Sequence, residues 1–276
     1  MYKRILTIQD ISCVGQCSMT VALPILSACA QETCVLPSAV LSTHTGGFSG
    51  FTFRDLTEDI PGIWKHWKKE NIDFDYIYTG YLGSTLQIGY VQELFDAMKG
   101  EKCLTVVDPA MADNGKLYTG FDDVYAAAMT KLCAQADIMI PNITEACMMT
   151  GHPYQDRYDE SYIDALLGKL CALGNGTVVL TGVGYAPNQT GVVICRGDQR
   201  WYYSHERIDK SYHGTGDIFA SAFVGATASG KTLEEAAKIA ADYTALCIRK
   251  TYEDPSHWYG VKFETALGDL IRMLEA

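Results

Sequence analysis

Residues 103–118 read Cys103-Leu104-Thr105-Val106-Val107-Asp108-Pro109-Ala110-Met111-Ala112-Asp113-Asn114-Gly115-Lys116-Leu117-Tyr118. The run over 103–107 is apolar and β-branched, with no polar alternation, which predicts a strand buried on both faces as in a parallel sheet. It stops at a carboxylate followed by proline, and Pro109 and Gly115 mark the following residues as a loop. In a parallel sheet the ligand crevice lies outside the C-terminal strand ends. Asp108 and Asp113 therefore sit where a bound group is expected. Two carboxylates suit Mg²⁺, which takes one or two of them together with waters and phosphates. Taken alone, the same loop reads equally as a solvated turn.

Outward from this strand the same rhythm continues in both directions. Short apolar runs at 4–8, 33–37, 76–79, 138–140 and 177–180 alternate with helical stretches at 18–31, 57–71, 86–99, 122–134, 144–150 and 161–173. That alternation predicts an α/β fold with a central, mostly parallel sheet and helices on both faces. The rhythm then changes. Two short β runs, 191–195 and 200–204, flank Gly197-Asp198 and suit a hairpin. Two helices follow at 217–229 and 232–249, the second with a stripe of small residues suited to close packing. With no repeat, linker or low-complexity tract, the whole chain, 1–276, reads as a single domain, and the glycine-rich stretch within 42–55 as a small β flap.

Charge and composition narrow the function. Lys plus Arg is 22 against 33 for Asp plus Glu, a net charge of −11 over 276 residues. That balance, with no basic run, argues against nucleic-acid binding. No apolar stretch is long enough for a membrane span, and the N-terminal apolar run is too short for a signal peptide. The ten cysteines include no C-x-x-C pair, so they read as reduced thiols filling a core in a cytoplasmic protein.

Further polar constellations fall at predicted strand ends or helix starts. In His213-Gly214-Thr215-Gly216-Asp217, two glycines free the backbone just before a helix whose N–H groups and dipole favour an anion. A carboxylate there makes sense as a base that takes a proton from a hydroxyl attacking a phosphoryl group, or else as a simple helix cap. Pro141-Asn142-Ile143-Thr144-Glu145 has the spacing of a capping box and puts another carboxylate at a strand end. Ser42-Thr43-His44-Thr45-Gly46 offers donors, Tyr81 an aromatic face, and Asp10 and Ser12 polar groups after the first strand. Each has a purely structural alternative, but three acidic sites at three strand ends point jointly to a metal–nucleotide site.

Taken together, these residues resemble the ribokinase-like superfamily and, within it, the pyridoxal (pyridoxamine) kinases, over nearly the whole chain and in order. Gly214-Thr215-Gly216-Asp217 is similar to the superfamily's anion hole and catalytic base, and Pro141-Asn142-x-x-Glu145 to its magnesium-associated motif. Asp108-Pro109-x-Met111-x-Asp113-x-Gly115-x-Leu117-Tyr118, Ser42-x-His44-Thr45-Gly46 and Gly80-Tyr81-Leu82-Gly83-Ser84 are similar to segments of the vitamin B6 kinases. The resemblance implies a three-layer sandwich and ATP-dependent phosphorylation of a B6 vitamer's 5′-hydroxymethyl group. It implies catalytic roles for Asp217, Gly214, Thr215 and Gly216, and nucleotide contacts from Asn142, Thr181, Gly214 and Gly216. Mg²⁺ would be held by Asp108, Asp113 and Glu145, and the vitamer by Asp10, Ser12, His44, Thr45 and Tyr81. It also implies a homodimer. Two departures stand out: Asp10 replaces a common serine, and Ile140 stands where relatives often carry Thr near a monovalent cation. The alternatives are a hydroxymethylpyrimidine kinase of the same fold, whose usual Ser-Gly-Gly-Ala-Gly tract is absent here, and a non-catalytic B6-binding protein.

Overall fold

The computed structural model describes residues 2–174, 176–210, 212–254 and 256–276. Its strands are β1 (Arg4–Ser12), β2 (Glu32–Leu41), β3 (Phe53–Asp55), β4 (Tyr76–Thr79), β5 (Leu104–Val107), β6 (Ala112–Asp113), β7 (Lys116–Leu117), β8 (Ile138–Met139), β9 (Thr177–Thr181), β10 (Gln189–Arg196) and β11 (Gln199–Glu206). The helices are α1 (Met19–Ala28), α2 (Ile60–Lys69), α3 (Thr85–Met98), α4 (Asp123–Gln135), α5 (Ile143–Thr150), α6 (Glu160–Cys171), α7 (Thr215–Ala228), α8 (Leu233–Tyr252) and α9 (Leu267–Glu275). Among the described residues no helix is long and apolar enough to cross a membrane.

The opening strand, β5, lies in the middle of a nine-stranded sheet ordered β11-β10-β9-β8-β5-β4-β1-β2-β3. Its six inner strands run parallel, while β3, β10 and β11 join antiparallel at the edges. Side chains alternate between the faces, as strand geometry requires. Leu6, Ile77, Val107 and Leu180 enter the core beneath α2–α6. Their neighbours Ile5, Tyr78, Val106 and Val179 enter the core beneath α1, α7, α8 and α9. Burial on both faces is why the inner strands read as unbroken apolar runs rather than alternating ones. The expected three-layer α/β sandwich is the observed one.

The chain leaves β1 toward β2 over one face through α1, then returns to β4 on the other side of β1 by way of α2 on the opposite face. The connection thus reverses direction between β1 and β4, and a crevice opens outside their C-terminal ends. Asp10 and Tyr81 follow the core segments of these two strands.

Several elements differ from the sequence reading. The strand expected at 33–37 runs on to Leu41 through Pro37. Proline cannot donate to a ladder, but β3 pairs only with Ala39–Leu41, so no donor is required at Pro37 on that side. One extra residue of β2 is accommodated here, since Gln9 pairs with Pro37 and Ile11 with Val40. Strand β1 likewise extends to Ser12, past the polar residues that end its apolar run. The opening loop folds into the β6–β7 hairpin. The helix expected from 217 begins at Thr215, and α9 was not anticipated. Segment 42–55 forms a loop closed by β3 against the end of β2.

Helices α1 and α7 approach so closely that a Cβ on Gly225 would lie 2.4 Å from Cys29 Sγ. Overpacking of this kind costs about 1–3 kcal/mol, against a gain of up to about 1 kcal/mol in helix propensity. Gly225→Ala should therefore lower the thermal midpoint by several degrees, and adding Cys29→Ala should recover part of the loss. Equal melting of parent and Gly225→Ala would show that this contact does not limit the packing.

Candidate active site

Helix α7 starts at the C-terminal edge of the sheet. Its N-cap Gly214 has φ +82°, and a Cβ there would lie 1.9 Å from the Gln16 carbonyl oxygen, so only glycine fits. Ile218 N–H donates to the Gly214 carbonyl at 3.0 Å. The N–H groups of Thr215, Gly216 and Asp217 in the first turn precede any intrahelical acceptor, which leaves them for an anion.

Asp217 stands in that first turn with the Ser18 N–H near enough to favour its charged form. Ser18 holds a rare backbone conformation there, φ 51° and ψ −131°. Strain of this kind costs on the order of 1–3 kcal/mol and is held in place by its surroundings. Burial pushes the Asp217 carboxyl up to about 7; the Ser18 N–H opposes the rise and the charge of Asp10 adds to it. A carboxyl poised near neutrality is suited to taking up a proton.

Across the crevice Glu145 organises the acidic loop. Asn142 and Glu145 form the expected capping box at the start of α5. Glu145 Oε2 accepts from Asn142 N–H at 2.9 Å, while Oε1 accepts from Met111 N–H at 2.9 Å and Ala112 N–H at 3.4 Å. Asn142 Nδ2 donates to the Ala112 carbonyl at 2.8 Å. One buried carboxylate and one amide thus clamp the Asp108–Asp113 loop to a helix N-terminus. Despite these donors, burial pushes Glu145 up to about 7. Asp108 is buried with only the Ala110 N–H on its carboxylate, and its pKa is raised well above the usual range by burial, then by Glu145 and Asp217.

The three expected metal ligands are not a joint set. Among the described residues no group of three His, Cys, Asp or Glu side chains could hold a metal by itself. Asp113 is exposed at the tip of the β6–β7 hairpin, and both its oxygens accept from Asn114. Asp108 and Glu145 remain. Their mutual repulsion in a buried place is what a divalent cation relieves, and two carboxylates are enough for Mg²⁺ completed by waters and phosphates.

Thr181 lies at the end of β9 beside Asn142, with which it forms an isolated parallel bridge, and its N–H donates to the Pro141 carbonyl at 2.9 Å. On the β1 side, Ser12 Oγ donates to Asp10 Oδ2 at 2.9 Å. The Tyr81 phenol is pushed up to about 12 by burial and then by the charge of Asp10. Tyr81 stacks on Phe121, and Phe121 on Tyr125, with ring centroids 5.5 Å and 3.7 Å apart. Thr45 is exposed.

His44 is held by the chain itself. Nδ1 accepts from Gly46 N–H at 3.0 Å, which leaves Nε2 to donate to the Tyr259 carbonyl at 2.8 Å. Both ring nitrogens are occupied, so His44 offers a ligand only its ring. Residues given no role by the sequence reading complete this wall. His213 packs where a Cβ of Gly46 would go, and Trp258 packs against Phe48 and Gly47. The Tyr118 phenol lies in the field of Glu145, Asp113, Asp108 and Asp217. His213 and Tyr118 stand inside motifs quoted above, but their place at the site, like that of Phe48 and Trp258, is revealed only by tertiary contacts.

A free helix N-terminus with a carboxylate in its first turn, facing an acidic loop across a parallel sheet's ligand crevice, is the arrangement of the ribokinase-like α/β kinases. A family profile described as phosphomethylpyrimidine kinase matches residues 67–260, and the chain belongs to that family. The crystal structure of pyridoxal kinase from Lactobacillus plantarum is 31% identical, with a TM-score of 0.91 over 99% of this chain and 98% of that one. A candidate phosphomethylpyrimidine kinase from Bacteroides thetaiotaomicron, crystallised with pyridoxal, is 35% identical with a TM-score of 0.91 over 97% and 95%. Pyridoxal kinase from Sus scrofa is 26% identical over 240 residues, 79% of this chain and 73% of its own.

The raised Asp217 pKa has a consequence for stability. Between the carboxyl's ordinary value of 3.8 and about 7 the folded chain holds a proton that the unfolded chain has released. This stabilisation is therefore lost as pH rises toward 7. Discounted for partial exposure, Asp217→Asn should be more stable than the parent by about 1–2 kcal/mol at pH 8. The difference should shrink toward pH 5, as read by denaturant unfolding at both pH values; a pH-independent difference would contradict it.

Proposed function

We propose that the chain is an ATP-dependent kinase that transfers the γ-phosphoryl group to the 5′-hydroxymethyl group of a vitamin B6 vitamer: pyridoxal, pyridoxamine or pyridoxine. The observation that carries this reading is Asp217, a carboxyl raised to about 7 in the first turn of a helix with open N–H groups, opposite the Asp108–Glu145 pair. The relatives named above supply the substrate class, two as pyridoxal kinases and one as a protein crystallised with pyridoxal. A hydroxymethylpyrimidine substrate fits the family's description but has no feature of the crevice in its favour.

In this mechanism Asp217 accepts the hydroxyl proton as the oxygen attacks the γ-phosphorus in line with the leaving ADP. The first-turn N–H groups after Gly214 hold the negative charge on the transferring group. Asn142 and Thr181 flank the phosphates from the ends of neighbouring strands. Asp108 and Glu145 would hold Mg²⁺, which supplies charge neutralisation at the phosphates. Closure of the segment His44 to Phe48 would exclude water and limit idle ATP hydrolysis. Most of the acceleration comes from positioning and electrostatics.

The same reading makes 1–276 one kinase domain, 42–55 its flap, and the protein a cytoplasmic homodimer. Ile140 supplies no side-chain oxygen for a monovalent cation, so turnover in Na⁺ and in K⁺ should match.

Asp217→Ala should lower kcat by about three orders of magnitude or more while nucleotide affinity changes little. Near-normal turnover would remove Asp217 from the base role. Vitamers and hydroxymethylpyrimidine assayed side by side test the substrate class. With so many carboxylates around a polyanion, ATP affinity should fall at least tenfold on removing Mg²⁺. Equal affinity with and without the metal, by calorimetry, would count against the site as drawn.

A further inference from the structure

Gln87 stands in the first turn of α3 and is only 1% exposed. It has no part in the phosphoryl transfer described above, yet its side-chain amide joins four separate stretches of chain. Oε1 accepts from Gly83 N–H at 2.7 Å. Nε2 shares its two protons among the Thr57 hydroxyl at 2.9 Å, the Ser38 carbonyl at 3.0 Å and Asp55 Oδ1 at 3.2 Å. The helix start requires none of these, because the Gln87 N–H is already capped by Ser84 Oγ at 3.2 Å. The two ends of an amide differ in kind, one accepting and the other donating. Here the accepting end meets the loop that carries Tyr81. The donating end meets the stem of the 42–55 flap, where Ser38 lies on β2 and Asp55 on β3, the latter paired with Ala39. A second contact ties the same two segments: Ser38 Oγ donates to the Tyr81 carbonyl at 3.4 Å. Asp55 Oδ1 also accepts from Thr57 N–H at 2.8 Å and from the Thr57 hydroxyl, which closes the cluster.

Given the B6-vitamer reading above, on which this inference rests, we infer that Gln87 is a positioning residue that holds the two vitamer-side segments in register. One is the flap that carries His44 and Thr45, and the other is the loop that carries Tyr81. They follow β2 and β4, which are separated in the sheet by β1, so no strand pairing joins them directly. Their relative placement falls to side chains, and Gln87 is the one whose amide reaches both strands of the flap stem. A carboxylate in its place keeps the shape but loses the donor. It would set one oxygen against the Ser38 carbonyl and the Asp55 carboxylate, and a buried polar group left without a partner costs more than the bond it lost. The segments then separate to relieve the contact. The nucleotide side is built elsewhere: no partner of Gln87 lies on α5, β9 or α7. Gln87 therefore acts on the vitamer through the walls around it and leaves ATP alone.

The test measures kcat and both KM values, for ATP and for the B6 vitamer that the parent turns over fastest. It compares the parent with Gln87→Glu, with Gln87→Glu combined with Asp55→Asn, and with Thr57→Val. Gln87→Glu should raise the vitamer KM about tenfold or more while kcat and the ATP KM stay within about threefold. Adding Asp55→Asn replaces a like charge by a donor and should recover most of that loss, a non-additivity expected only of groups in contact. Thr57→Val removes one acceptor at nearly constant shape and should shift the vitamer KM in the same direction by less. If Gln87→Glu does not fold, Thr57→Val decides the question by the same split. Parallel rises in both KM values, a fall in kcat alone, or a double variant no better than the single one overturns the inference and leaves Gln87 a general support of the fold. If the parent phosphorylates no vitamer, the kinase reading fails, and the inference falls with it; turnover by the parent separates the two failures.

Discussion

The site depends on one buried carboxylate. Glu145 gathers N–H groups from two separate segments, Met111 and Ala112 on the acidic loop and Asn142 at the start of α5. Hydrogen bonds to a charged group contribute roughly 1.5–3 kcal/mol each, which is enough to fix a loop that has little apolar anchoring of its own beyond Met111 and Ala112. Without this clamp Asp108 would have no defined place relative to Asp217, and the crevice would lose its acidic wall. Clamping also keeps Glu145 buried close to Asp108; burial raises the pKa of both carboxyls, and Glu145 raises that of Asp108 further.

The opposite wall follows a different logic. There the backbone is bent to serve one side chain. Ser18 adopts a conformation that few L-residues adopt and presents its N–H to Asp217, while Gly214 presses against the Gln16 carbonyl. The close packing of α7 on α1 fixes these positions by setting the helix axes. The catalytic corner is therefore a product of two cores, one on each face of the sheet, that meet only at the strand ends. Local strain and buried charge lower stability at such a place, and the rest of the fold offsets the loss.

Much of this was legible in the chain. The apolar run at 103–107 ending at Asp108, the Asn142–Glu145 spacing and the Gly214–Asp217 tetrapeptide carry their meaning locally, because strand burial, capping and glycine geometry act over a few residues. The α/β rhythm was legible for the same reason. Boundaries were less so: β1 and β2 continue past their apolar runs because backbone pairing, not side-chain polarity, decides where a strand ends. The short β3, β6 and β7 are held by pairing partners and leave no periodic signal.

What the sequence alone determined is the fold class, the acidic loop and the helix N-terminus with its carboxylate. What only the tertiary structure decided is which polar groups are free to act. Asp113 and His44 carry the right chemistry by type, yet one points to solvent with Asn114 as its partner and the other spends both ring nitrogens on the backbone. Asp10, read from the sequence as a vitamer contact that departs from a common serine, proves to be a buried carboxylate that accepts from the Ser12 hydroxyl and belongs to none of the ion pairs among the described residues. The physical reason is that residue type fixes what a group can donate, accept or ionise. Only the packing of distant segments fixes whether its partners are already in the chain or must come from a ligand.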